Sequence, residues 1–357
     1  MLKPKQQIQK WATELDLDHV KFTDTSLSAD GEALQRWMDE GLHEPLNWLN
    51  DHGDMRWTPS SLMPGVETVI SVRLHYLPED VDLAAALKQE SRAYVSRYAL
   101  GRDYHKVLRR RLAKLAKQIN QAFPGTESRA LVDSAPVLER ALARKAGHGW
   151  VGKNTMMINP EEGSYFFLGE IYTTLKIEPD TPDDQDRCND CDACLKVCPT
   201  AAFVAPYKLE TKRCISYLTI ENDGPIPVEF REPIGNRVFG CDDCQVICPF
   251  NKYPKTAKLD DFQPRNNLDT AELLDLFELS EEEFLARTEG SPLRRAGYHN
   301  FLRNVSVGLG NSPRSDAVIN ALQLRLSENL SEMLNEHIEW ALKRQYDPTR
   351  RRRKLRR

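Results

Sequence analysis

The chain has 357 residues, 40% hydrophobic and 29% charged, with a formal net charge of −4 at pH 7. This length accommodates two or three domains. No apolar run reaches the 18 or so residues that span a bilayer, and the opening residues carry no hydrophobic signal segment, so a cytoplasmic location is expected. The charge is unevenly spread: residues 92–117 hold nine Lys/Arg against Asp103, residues 343–357 hold nine against Asp347, and the remainder carries a net −20. Two basic segments on an acidic protein suit a polyanion partner, although a solvated helix face and a disordered tail give the same counts.

In chain order, residues 4–16 and 31–50 read as helices, with Ile8, Trp11 and Leu15, then Leu34, Trp37, Met38 and Leu42, at helical spacing. A Pro/Ser-rich connection follows to Gly65, and Val66–Leu74 is a β-rich run. A helix is predicted over 82–97. After Gly101, Asp103 caps a basic helix to about Ala122 whose buried stripe is Val107, Leu108, Leu112, Leu115 and Ile119. Residues 128–133 read as a strand, and Ser134-Ala-Pro136 opens a helix. Gly147-His-Gly-Trp-Val-Gly152 matches the dinucleotide pattern by letters but precedes a strand, which excludes a Rossmann site. Another apolar strand falls within 164–175, and the acidic stretch 178–186 reads as a linker.

All eight cysteines lie between Cys188 and Cys248. The first run is Cys188-x2-Cys191-x2-Cys194-x3-Cys198-Pro199, the bacterial ferredoxin spacing in which the fourth cysteine crosses to the other of two clusters. The second, Cys241-x2-Cys244-x3-Cys248-Pro249, is one cysteine short, and Cys214 replaces it. The predicted ligands are Cys188, Cys191, Cys194 and Cys248 for one [4Fe–4S] cluster and Cys198, Cys214, Cys241 and Cys244 for the other. Zinc explains paired CxxC motifs but not the third cysteine or the Cys-Pro ends, and disulfides require an oxidising compartment. Beyond Pro249, short amphipathic helices are predicted over 268–276, 281–287, 298–309, 316–326 and 331–345, followed by an Arg-rich tail without an apolar face.

Gly101-Arg-Asp-Tyr-His-Lys106, Val132-Asp-Ser-Ala-Pro-Val-Leu-Glu-Arg140, Gly149-Trp-Val-Gly-Lys-Asn-Thr155, Cys214-Ile-Ser-Tyr-Leu-Thr-Ile220, Ile234-Gly-Asn-Arg-Val-Phe-Gly-Cys241 and both cysteine runs together resemble the epoxyqueuosine reductase family. The resemblance covers roughly residues 1–255 and, more loosely, the C-terminal helices. It implies a cobalamin-dependent iron–sulfur oxidoreductase that reduces epoxyqueuosine to queuosine at the wobble position of tRNA anticodons. Electrons would pass from an external low-potential donor through the two clusters to base-off cobalamin. The implied fold is α+β: a nitroreductase-like cobalamin domain over 1–178, a ferredoxin-like two-cluster domain over 179–255, a helical, HEAT-like region over 256–346 and a basic tail over 347–357. A monomer with no membrane association is expected.

By the same resemblance, Asp133 is the proton donor, a role that a raised carboxyl pKa would favour; from residues alone it reads as a helix N-cap. Arg56, Arg97, Asp133, Lys153, Met157, Leu168 and Ser216 are the implied cobalamin contacts. Met157 and Leu168 otherwise read as core, and Arg56 and Arg97 as surface charges. Arg102, Tyr104, His105, Lys106, Arg109 and Arg110 are candidate tRNA contacts. Tyr104 and His105 could stack on an unpaired base or simply pack at a helix start. Arg140 could hold Asp133 or a phosphate. Leu100 departs from the family, which often has arginine there. A cobalamin-dependent reductive dehalogenase-like enzyme acting on small molecules and a ferredoxin-type electron carrier are the alternatives.

Overall fold

The computed structural model of the chain describes residues 3–79, 83–182 and 185–347. Residues 348–357, which make up almost all of the expected basic tail, lie outside the described residues.

Its centre is a four-stranded antiparallel sheet of β1 (His19–Thr23), β2 (Thr68–His75), β3 (Ser128–Leu131) and β4 (Phe166–Thr173), in the order β1-β2-β4-β3. Every residue of β2 is buried, and in β4 only Leu168 is partly exposed. Both faces must therefore be covered, and helices cover them. On one face lie α1 (Pro4–Glu14) and, further along the chain, a long basic helix. The intervening α2 (Ser28–Asp39) leads to the cavity described below. The long helix, α3 (Tyr104–Ala122), buries Leu108, Leu112, Leu115 and Ile119 against Ile8, Phe22, Phe167 and Ile171. Gly169 in β4 permits this close approach: a Cβ there would sit 2.8 Å from Leu112 Cδ1 and 3.0 Å from Leu108 Cδ2. The opposite face is packed by α4 (Glu139–Lys145), whose Leu142 meets Val69, Leu131 and Tyr172, and whose Ala143 meets Met157 and Phe166.

Two predicted helices are corrected. The helix expected over 31–50 ends at Asp39, where Gly41 adopts the left-handed conformation at φ +70° that terminates helices. Short 3-10 turns at Asn47–Asn50 and Gly53–Arg56 then continue the chain. The helix expected over 82–97 persists, among described residues, only as Leu83–Lys88. Tyr94 and Val95 instead pair in parallel with Arg237–Phe239, an interaction with a distant segment that local periodicity cannot register. Residues 93–100 consequently contribute to the C-terminal hydrophobic core.

The cysteines are delivered by short helices: α5 (Ala193–Val197), α6 (Ile215–Ile220) and α7 (Asp243–Val246). Beyond them, Glu281–Arg287 forms as predicted, the helix expected over 268–276 shortens to Leu273–Phe277, and α8 (Tyr298–Asn311), α9 (Asp316–Glu328) and α10 (Glu332–Tyr346) complete the chain. α8 is buried almost all round, and its polar residues reach the cysteine region. Arg303 Nη1 donates to Asn222 O (2.6 Å) and Nη2 to Leu218 O (3.0 Å), while Asn304 Nδ2 donates to Thr219 O (2.8 Å) and Val238 O (2.9 Å). These bonds satisfy carbonyls at the end of α6 that the helix itself leaves unpaired, and they anchor the segment that begins at Cys214.

Candidate active site and iron–sulfur centres

The eight cysteines are free thiols. Cys188, Cys191, Cys194 and Cys248 together line a cavity of about 330 Å³, closed by Ile158, Pro249 and Phe250. Burial, then the neighbouring Cys188 and Cys248, push the Cys194 thiol up to about 11. Trp150 Nε1 lies 3.5 Å from Cys188 Sγ, and Lys153 Nζ donates to the carbonyls of Asn189 and Cys191, so the lysine braces the first cysteine loop. In the second set, burial and then the nearby Cys214 and Cys198 push the Cys244 thiol well up. Ala202 N donates to Cys198 Sγ at 3.3 Å, and Asn154 Nδ2 to Cys244 O at 3.1 Å. Such mutual disfavour of charge is what converging thiolates experience until a metal cluster takes them as ligands. Among the described residues, no three His, Cys, Asp or Glu groups converge tightly enough for a single metal ion. The ferredoxin-type spacing of the two cysteine runs fits multi-iron clusters better than structural zinc.

A much larger cavity, about 1140 Å³, lies between α2, the start of α3, the loop before α4 and the second cysteine set. Ala33, Leu34, Trp37, Leu46, Trp48 and Leu49 give it an apolar wall. Cys214 and Ser216 reach it from α6, and Gly290–Arg295 of the C-terminal region close another side. Asp133 projects into it with its side chain 44% exposed. Its carboxylate Oδ2 is 2.9 Å from His105 Nε2, and His105 Nδ1 is 2.8 Å from Asp103 Oδ1. Asp103 is also the N-cap of α3, accepting from His105 N at 3.1 Å, so capping and ring orientation are one arrangement. Tyr104 stacks between His105 (ring centroids 4.1 Å apart) and Phe167 (4.0 Å), and its hydroxyl also serves Asp133.

Charge follows this geometry. Burial works against an imidazolium at His105, but its bonds to Asp103 and Asp133 outweigh that and push its pKa up to about 9. Burial would raise the Asp133 carboxyl, yet the His105 hydrogen bond and charge hold it below the usual carboxylate range. The carboxyl held low and the imidazole held high favour an ion pair with the proton on His105. Asp133 is not a helix N-cap, because α4 begins only at Glu139. Asp133 sits at φ +27°, a conformation that L side chains disfavour, and its N–H donates to Glu139 Oε1 at 2.7 Å.

The other expected site residues are dispersed around this centre. Arg56 and Ser216 line the large cavity; Arg56 is buried beneath Trp48 and donates to Leu49 O and Trp48 O. Lys153 lines the smaller, four-cysteine cavity. Met157 is core, Leu168 packs beside it, and neither lines the large cavity. Arg97 is buried over the Tyr94 ring, its main chain bound to Asp242, and lies off the cavity wall with an unpartnered Nε. Tyr104, His105 and Lys106 line the cavity, whereas Arg109 and Arg110 lie on the exposed face of α3 and Arg102 pairs with Asp261 at 3.3 Å. Arg140 Nη1 donates to Thr155 O. The sequence reading missed Glu139 and Arg294/Arg295 as cavity residues; only the Glu139 position inside the Asp133 motif hinted at a role.

Two four-thiol sets beside a cavity holding an acid–imidazole pair define an iron–sulfur oxidoreductase. A family profile described as "Epoxyqueuosine reductase QueG, DUF1730" matches residues 56–134, and one described as "4Fe-4S double cluster binding domain" matches residues 187–251. The epoxyqueuosine reductase of Pseudomonas aeruginosa is 52% identical over 95% of this chain and 94% of its own, and that of Escherichia coli 48% identical over 96% and 89%. The chain belongs to the epoxyqueuosine reductase family. Among solved structures, Bacillus subtilis epoxyqueuosine reductase, described with its catalytic aspartate loop swung out of the active site, superposes with TM-score 0.85 at 29% identity, covering 96% of this chain and 91% of that one. An epoxyqueuosine reductase bound to an epoxyqueuosine-modified tRNA-Tyr stem loop superposes with TM-score 0.80 at 27% identity, covering 96% and 99%.

Proposed function

We propose that this chain reduces epoxyqueuosine to queuosine in tRNA anticodon loops, with Asp133 and His105 as its acid. The observation that carries the reading is the Asp133–His105–Asp103 chain opening into a cavity whose other side bears Cys214 and Ser216. Redox and proton chemistry meet there.

Cys188, Cys191, Cys194 and Cys248 hold one [4Fe–4S] cluster, and Cys198, Cys214, Cys241 and Cys244 hold the other; bound there, the clusters supply one-electron transfer. The large cavity suits cobalamin in three respects: it exceeds the usual size of drug-like sites, one wall is apolar, and it reaches the second cysteine set. Cobalamin supplies, when bound, a low-valent cobalt able to reduce a strained epoxide. Ser216, Arg56 and the apolar wall are the residues placed to hold it. Arg97, Lys153, Met157 and Leu168 do not line this cavity.

The epoxide oxygen leaves as water, a change that consumes two electrons from the external donor and two protons, one through Asp133 and one from solvent. Asp133 Oδ2 faces the cavity and passes on the proton that His105 Nε2 carries, while Asp103 keeps the opposite ring nitrogen hydrogen-bonded. Lys106, Arg294 and Arg295 on the cavity wall, with Arg109 and Arg110 outside it, favour the phosphates of an anticodon stem loop. Tyr104, covered on both faces, packs at the helix start, which leaves His105 for stacking on the modified base. In this proposal the chain is a nitroreductase-like unit over 1–178, a ferredoxin-like unit over 179–255 and a HEAT-like helical unit over 256–346, in a cytoplasmic monomer served by an external low-potential donor.

The test is anaerobic incubation of the reconstituted enzyme with epoxyqueuosine-containing tRNA and a low-potential reductant, followed by nucleoside mass spectrometry. Conversion that depends on added cobalamin is expected. No conversion with both clusters and cobalamin loaded overturns the reading.

A further inference from the structure

Behind Asp133 lies a second carboxyl pair that the proposed chemistry leaves unused. Glu139 opens α4 and lines the cavity, and Glu170, on β4, is wholly buried. Glu170 has Ser71 and Leu131 as its cross-strand neighbours, and both of its carboxyl oxygens lack a donor unless Glu139 brings a proton. Two adjacent carboxyls, one of them wholly buried, cannot both ionise. Burial first, and then the neighbouring carboxylates, raise both acids: Glu139 to about 8 and Glu170 well above the carboxylate range. A neutral Glu139 can donate its O–H inward to Glu170 and accept outward from a backbone N–H. The outward bond is Asp133 N–H to Glu139 Oε1, at 2.7 Å.

That N–H belongs to the residue at φ +27°, and such a conformation persists only where the surroundings over-determine it. The Asp133 side chain is tied to His105, but its backbone is tied to Glu139. Resting on the proton-donor reading of Asp133, we propose that Glu139, braced from behind by Glu170, is a positioning residue: a latch that holds the 132–138 loop with the Asp133 carboxylate inside the cavity. The latch requires an acceptor oxygen at position 139 and a hydrogen toward position 170; it does not require a negative charge. Glutamine offers both.

The test compares Glu139→Ala, Glu139→Gln and the double variant Glu139→Ala/Glu170→Gln in the reconstituted holoenzyme. It follows kcat and KM with substrate tRNA and amide hydrogen exchange in peptides covering residues 132–138. Glu139→Ala is expected to lower kcat about 10–100-fold with KM nearly unchanged, because a catalytic group displaced by about 1 Å loses that much. Exchange in the loop should rise roughly tenfold or more as local opening becomes easier. The double variant should show the same gain in exchange, separating the latch from any burden of leaving Glu170 alone. Glu139→Gln should keep turnover and protection close to the parent. Unchanged loop exchange in Glu139→Ala overturns the latch. So does a Glu139→Gln enzyme that is inactive with a protected loop, since Glu139 would then act through its proton or charge. If Asp133→Asn turns over normally while Glu139→Ala loosens the loop, the donor reading fails and the latch stands.

Discussion

The electron side and the proton side of this molecule are built on opposite plans. The eight cysteines sit on short helices and turns whose backbones are pinned from outside, by Lys153 at the first loop and by Arg303 and Asn304 behind α6. Asp133 stands on a loop at positive φ, held by His105, Tyr104 and Glu139 and open to a large cavity. Metal ligands must not move, because cluster integrity depends on every thiolate. An acid that serves a bulky substrate gains from a loop that can yield. The difference predicts that damage to the first side is all-or-none, and damage to the second graded.

The largest effect therefore belongs to the cysteines. Cys198→Ala and Cys244→Ala should each remove about four iron atoms per chain and abolish turnover. Cys198 is the sharper case: it is contiguous with the first motif, yet its loss should erase the spectroscopic signature of the second cluster and spare the first. Iron analysis with EPR of the reduced protein decides this. Loss of the first cluster's signal would mean that the ligand sets do not cross.

Next in size is Asp133→Asn, expected to cost about 10²–10⁴ in kcat with both clusters retained. His105→Gln should cost less, about tenfold to a hundredfold, because Asp133 remains but must find its proton in solvent. The pH profile makes the distinction. His105 has a folded pKa raised to about 9, so its imidazolium is present below that value and lost as pH rises through it. Parent activity should fall along an alkaline limb near 9, and His105→Gln should lack that limb. Stability has the same sign: the stabilisation that His105 gains from Asp103 and Asp133 is complete below its unfolded pKa of ~6.5 and disappears as pH rises through about 9. An alkaline limb that survives in His105→Gln would place the proton elsewhere.

The same contrast governs what could be read from the residues. Cysteine spacing is imposed by covalent chemistry with the cluster, so the run from Cys188 to Cys248 points to a double-cluster domain without a structure. The α3 stripe was equally legible, because Leu108, Leu112 and Leu115 obey a local period. Asp133 was legible only through family resemblance, and its pairing with the His105 ring 2.9 Å away was not legible at all. Glu170 reads as one acid in an apolar strand; its meaning comes from α4 crossing β4 and bringing Glu139 beside it. Tyr94 and Val95 were taken for helix because their partner strand, Arg237–Phe239, lies far along the chain. Tertiary pairing, unlike metal spacing, leaves no local signature.

A smaller effect tests how firmly the second cysteine set is pinned. Asp243 Oδ2 lies 3.0 Å from Cys241 Sγ, and Arg237 grips the carboxylate through two bonds of 2.6 and 2.5 Å, both side chains being buried. Arg237→Met leaves that carboxylate buried, unpaired and next to a sulfur ligand. Breaking such a pair costs about 3–5 kcal/mol, and chemical denaturation of the anaerobic holoprotein measures it. Arg237→Met/Asp243→Leu, which removes both charges, should recover much of the loss. If the single variant is as stable as the parent, the rigidity attributed to this side is misplaced.

The smallest effect lies outside both sides, on the face of α3. Arg109 and Arg110 are exposed and have no ion pair among the described residues, so replacing them with alanine should leave the fold intact. Arg111, one residue on, contacts Asp261 at 3.4 Å and is a poorer probe for that reason. If α3 meets tRNA phosphates, each Arg→Ala change should raise KM several-fold, leave kcat unchanged and reduce the slope of log affinity against log salt by about 1. The parent and the double variant, compared across a salt series, test this directly. A phosphate contact weakens with salt in the parent and less steeply in the variant, whereas a solvated helix face gives parallel lines. Parallel lines would confine RNA recognition to the cavity mouth, where Lys106, Arg294 and Arg295 stand beside the Asp133 loop.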